Sequence, residues 1–163
     1  MPRLSFQIQE QEHNRWCWAA VSVSVDHFFD PDSEWRQCGM VHLELGAECC
    51  QKPVPRKCNE VHALTPALNR VGHLRERLGR ALTMDEIRQQ IDVRKCPVAF
   101  RVGWKDGGGH FPIISGYEQT ARGDMVIVQD PFFGESVVPY EKLVSDYQVG
   151  HGAWTTTFLL KKA

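Results

Sequence analysis

The chain has 163 residues, with an apolar fraction of 42% and a charged fraction of 24%, which suits one globular domain spanning 1–163. Its formal net charge of -1 gives no electrostatic basis for binding nucleic acid or a membrane surface, and no apolar run approaches the length of a membrane span. Met1 to Asn14 lacks the apolar core of a secretory signal. The expected location is therefore the cytosol, unless a specialised secretion system or a removed fusion partner handles the chain.

Residues 1–14 read as extended and irregular. Trp18, Val21, Val25 and Phe28 recur at helical intervals, predicting a helix from about Trp16 to Phe29 that Asp30-Pro31 ends. Residues 32–57 carry Gly39, Gly46, Pro53 and Pro55 with three of the six cysteines, so short helical turns and loops are expected. A helix follows over Ala63 to Val71, ending near Gly72. Thr83-Met84-Asp85-Glu86 is a capping-box pattern that opens another, to about Ile91. Beyond it the period changes. Pro97 to Trp104, His110 to Tyr117 and Met125 to Gln129 read as strands, with turns at Gly107-Gly108-Gly109 and Arg122-Gly123-Asp124. A short helix around Glu141 to Tyr147 and a last strand over Ala153 to Leu160 complete the pattern. Helices first and an antiparallel sheet second predict an α+β fold.

Six cysteines divide into a cluster, Cys38, Cys49, Cys50 and Cys58, and two that stand alone, Cys17 and Cys96. With His42 and His62 the cluster offers zinc-ligand residue types. Its vicinal pair and its intervals match no standard finger spacing, so disulfides in one of three pairings, or free structural thiols, are favoured over metal. Cys96, beside Pro97 in a strand-like run, reads as a core thiol. No cofactor or metal is expected.

Cys17 differs because it falls in the first turn of a helix, where unpaired N–H groups and the helix dipole favour the negative charge of a nucleophilic thiolate. A histidine completes such a nucleophile, and a carboxylate or amide orients the histidine. His110 follows a glycine run that permits a tight turn and close approach to a substrate. Asp130 stands where Pro131 stops a strand, and neighbouring antiparallel strands would bring the two together. Taken singly, each has a plainer reading: a buried thiol, a turn histidine, and an Asx-turn aspartate. Their order along the chain favours the catalytic one.

The sequence resembles the bacterial papain-like cysteine peptidases, in particular the branch with plant-pathogen effector proteases and bacteriocin-processing peptidases. The similarity lies in Gln11 six residues before Cys17, in Cys17-Trp18-Ala19-Ala20, in Gly109-His110-Phe111 with Ile114-Ser115-Gly116-Tyr117, and in Asp130-Pro131. Pro97 to Trp104 is similar to the strand before the catalytic histidine, and the cysteine cluster to a segment of some members. The resemblance implies a papain-like fold, with the nucleophile at a helix start in a helical half and a sheet carrying His110 and Asp130. It implies Cys17 as nucleophile, His110 as general base and then acid, and Asp130 orienting the imidazole. Gln11 and the Cys17 N–H would form the oxyanion hole, and Trp16 and Trp18 are expected to shape the cleft. Asp130 departs from the asparagine typical of papain itself, although aspartate is common in the bacterial branch.

A protein or peptide substrate follows from this reading, together with a role as secreted effector or toxin restrained by an inhibitor or immunity protein. Two alternatives stand beside it: a deamidase or acyltransferase acting on glutamine through the same acyl-enzyme, and an inactive metal- or disulfide-stabilised interaction module.

Overall fold

Helix α1 (Cys17–Phe29) is the centre of one half of the protein in the computed structural model, which describes residues 2–163. Cys17 to Val25 are all buried. Small Ala19, Ala20, Ser22 and Ser24 let neighbours approach between Val21, Val23 and Val25, so the helix is covered on every side. Helices α2 (Gln37–Leu45) and α3 (Leu64–Val71) pack beside it.

The remaining elements are β1 (Leu74–Leu78), α4 (Met84–Arg88) with a π-helical turn Gln89–Val93, β2 (Val98–Gly103), β3 (Gly109–His110), β4 (Ile113–Thr120), β5 (Gly123–Asp130), β6 (Gly134–Pro139), α5 (Tyr140–Ser145) and β7 (Ala153–Leu160). The described residues thus form an α+β structure with five α-helices and one antiparallel sheet of seven strands. The sheet runs β1-β7-β2-β4-β5-β6, with β3 paired to β2. Strand β2 shows how its two faces are shared. Val98, Phe100 and Val102 enter the core with α4 and α5, whereas Ala99 enters the core of α1 to α3, as the two-residue period of a strand requires.

The extended N-terminal segment is held by buried side-chain amides. Gln129 Oε1 accepts from Ile8 N at 3.0 Å, while Gln129 Nε2 donates to Phe6 O at 2.7 Å. Gln37 Oε1 accepts from Glu12 N at 3.0 Å, and Gln37 Nε2 donates to Glu10 O at 2.9 Å. Ser24 Oγ on α1 accepts from Gln9 N at 2.9 Å. These bonds satisfy a backbone without a sheet ladder and bring Gln11 to the start of α1.

The Thr83 capping box forms: Glu86 N donates to Thr83 Oγ1 at 3.2 Å and Thr83 N to Glu86 Oε1 at 2.9 Å. Three expectations are corrected. The strand over His110 to Tyr117 is two strands, β3 and β4, because Pro112 cannot donate to a ladder. The helix around Glu141 to Tyr147 ends at Ser145, which releases Tyr147 for another use. Strands β1 and β6, the two edges of the sheet, are additions to the predicted elements.

Candidate active site

Cys17 is the first residue of α1. Its N-cap, Trp16, gives no side-chain hydrogen bond to the helix, so the N–H groups of the first turn stay free. The residue is 8% exposed. It lines a cleft of about 370 Å³ whose wall includes Gln11, Trp104, His110 and Phe133. A roomier hollow of about 970 Å³ lies beside Asp26, Asp30 and Asp32, and its one cysteine, Cys50, is held in a disulfide, so it offers no free thiol. Chemistry therefore selects the smaller cleft.

His110 is 7% exposed, and Asp130 is 1% exposed at the end of β5. Strand β3 does not neighbour β5. Instead the chain passes from His110 through Pro112 into β4, whose Ile113 pairs with Gln129, and this register sets His110 beside Asp130. His110 Nε2 lies 2.7 Å from Asp130 Oδ1. That leaves Nδ1 as the ring nitrogen not engaged by Asp130, and Cys17 lines the same cleft as His110. Trp104 stacks on the imidazole, with centroids 5.8 Å apart and planes 21° from parallel.

Burial alone would lower the His110 pKa. The hydrogen bond to Asp130, and after it the influence of the Cys17 side chain, outweigh burial and raise the value to about 9. Asp130 is likewise opposed by burial, yet its pKa falls below the ordinary carboxylate value because the hydrogen bond and charge of His110, then Tyr147 and Phe133 N, outweigh it. Besides His110, Phe132 N and Phe133 N donate to Oδ1 at 2.7 and 3.0 Å. Tyr147 OH donates to Oδ2 at 2.6 Å, and burial with the adjacent carboxylate drives the tyrosine's own pKa upward. Asp130 therefore makes the Asx-turn of the plainer reading and holds the histidine at once.

Gln11 is fixed at both ends. Its backbone N–H donates to Pro131 O at 2.9 Å, tying it to the residue after Asp130. Its Nε2 donates to His13 O at 2.9 Å, which leaves one amide hydrogen free. Its Oε1 is buried without a partner among the described residues. That is a cost to folding.

Trp16 and Trp18 do not shape the cleft. Both are fully buried, because side chains one residue either side of Cys17 point about 100° away from it around the helix. Trp16 Nε1 donates to Cys58 O at 2.7 Å and Trp18 Nε1 to Glu60 O at 3.0 Å, so they clamp the cysteine-rich loop to the start of α1. Disulfide Cys38–Cys50 ties that loop to α2, and Cys49–Cys58 closes the loop on itself. The vicinal pair divides because Cys49 points into the core with buried Cys58, while Cys50 points to the surface. Among the described residues no cluster of His, Cys, Asp or Glu has the arrangement of a metal site. Cys96 is a buried free thiol, as expected, and burial raises its pKa.

Sequence reasoning missed Tyr147, Trp104 as a stacking partner, and the Phe132 and Phe133 N–H donors. Only the last had a local signal, the Asp-Pro turn. Comparison of the chain with family models and with curated proteins gave no match.

Proposed function

We propose that the protein is a cysteine peptidase with a papain-like fold, hydrolysing peptide bonds through a thioester with Cys17. One observation carries the reading. A cysteine at an uncapped helix start shares a cleft with a histidine that bridges to a buried, fully served aspartate, and with a glutamine amide fixed at the rim.

In the reactive form the thiol proton resides on His110 and the thiolate attacks the scissile carbonyl. The free amide hydrogen of Gln11 and the Cys17 N–H receive the oxyanion. His110 then protonates the leaving amine and next activates the water that hydrolyses the thioester. Asp130 keeps the ring oriented with Nδ1 toward sulfur. Trp104 shields the His110–Asp130 bond from water, where it is strengthened by the lower dielectric.

The test is to identify new protein N-termini generated by the wild-type chain and absent with Cys17→Ala. Cysteine-dependent cuts support the proposal. A one-dalton mass gain at glutamine without any cut would replace it with deamidation.

A further inference from the structure

A second groove, of about 680 Å³, adjoins the catalytic cleft. The two share Val61 and Gly109, the residue before His110. Its floor and walls include Phe111, Phe158 and the first turn of α3. Arg77 and Arg101 also line it, and no aspartate or glutamate does. Neither arginine forms an ion pair among the described residues. Arg101 Nη1 donates only to Thr155 Oγ1, at 3.0 Å. The other cation-forming group there, His62, is already engaged by Glu44 at 2.8 Å.

The placement of Arg101 depends on its neighbour. A Cβ at Gly109 would lie 2.6 Å from Arg101 Nη2 and 2.7 Å from its Cζ, so the bare glycine is what admits the guanidinium next to His110. Arg77 stands on β1 opposite Phe158 of β7, which is itself opposite Ala99 of β2. The sheet therefore sets both arginines along one apolar floor. An unpaired guanidinium pair on such a floor suits a carboxylate, which takes two parallel N–H bonds from one arginine and field from the other.

Resting on the peptidase reading above, we propose that this groove is a substrate subsite for a carboxylate within about four residues of the scissile bond, the distance an extended chain covers across the adjoining grooves. An acidic side chain and a free peptide C-terminus carry the same chemistry.

The full chain is tested on a proteome-derived peptide library, and the cleavage sites are aligned. Aspartate and glutamate should be enriched at one fixed position near the cut. Matched C-terminally amidated peptides with Glu or Gln there should differ about ten-fold in kcat/KM, the effect of one charge-assisted hydrogen bond. Arg77→Gln or Arg101→Gln should bring that ratio toward one. In the wild-type chain, added salt should shrink it, a readout that needs no variant. If cuts fall instead a fixed number of residues from the C-terminus and amidation abolishes them, the carboxylate is the terminal one. Cleavage with no carboxylate preference, or a preference unchanged in both variants, overturns the subsite alone. Failure to cut any peptide removes the peptidase reading, and the subsite with it.

Discussion

Tyr147→Phe isolates one atom of the site. The ring lies 6.4 Å from Trp104, 10° from parallel, and edge-on to Phe100 at 6.5 Å. Phenylalanine keeps that packing and removes only the hydroxyl that donates to Asp130 Oδ2. Both residues are buried, and Oδ2 has no other donor among the described residues, so water cannot readily take its place. A buried hydrogen bond to a charged group contributes about 1.5–3 kcal/mol net, so a loss of about 2 kcal/mol is expected at neutral pH. For a domain of this length that lowers Tm by about 4–8 °C. The effect has a pH signature. Asp130 is held below its ordinary value of 3.8, so its ionisation stabilises the fold above that value and ceases to do so as pH falls through the folded-state value. Removing the hydroxyl raises the folded-state value. The gap between variant and wild type is therefore full at neutral pH and narrows in acid, as the pH falls below the ordinary carboxylate value of 3.8. Guanidinium unfolding at neutral and at acid pH, with the disulfides kept oxidised, measures it. A variant within about 0.5 kcal/mol of wild type at neutral pH, the range of an inconsequential surface change, would refute the role given to Tyr147.

Further outcomes follow from the same geometry. In the proposed mechanism His110, raised to about 9, is protonated when it expels the amine, so kcat/KM should fall on the alkaline side near that pH; the protonated ring stabilises the fold fully below its ordinary 6.5 and no longer does above about 9. Asp130→Asn removes the leading cause of the rise, so a pH–rate profile should show the limb moving down toward 6.5, and an unmoved limb contradicts the pairing. Gln11→Ala should lower kcat about 10²- to 10³-fold, as loss of an oxyanion donor does, with unfolding free energy changed by less than about 1 kcal/mol; comparable loss of both points to a structural role. Replacing Cys49 and Cys58 by alanine opens a crosslink of sequence separation 9 and should cost about 2.5 kcal/mol. Since Cys58 O anchors Trp16, kcat should fall as well, whereas alanines at Cys38 and Cys50 should cost similar stability with kcat retained, which steady-state kinetics on folded protein distinguishes.

Much of this arrangement was legible in local signals. Cys17 announced itself by its place at the start of an apolar period, and Asp130 by the proline behind it. The two missed strands are the sheet's edges. Strand β1 reads Leu74-Arg75-Glu76-Arg77-Leu78, with its three central charges exposed, and β6 ends in Pro139. Charges and proline protect an unpaired edge from further pairing, and they erase the alternation by which a strand is recognised. Tyr147 was illegible for another reason: it meets Asp130 only after α5 turns back and Tyr147 pairs with Gly152 before β7. The tryptophans were misread because adjacency in sequence to Cys17 is not adjacency in space on a helix.

The most direct measurement is alkylation. Cys17 and Cys96 are the free thiols, and iodoacetamide modification of each can be followed by peptide mass spectrometry at pH about 6.5, below the ordinary thiol range. An activated nucleophile predicts that Cys17 is modified at least about ten times faster than Cys96, and that His110→Ala abolishes the difference. Equal, slow modification of both thiols in the wild-type chain would contradict it.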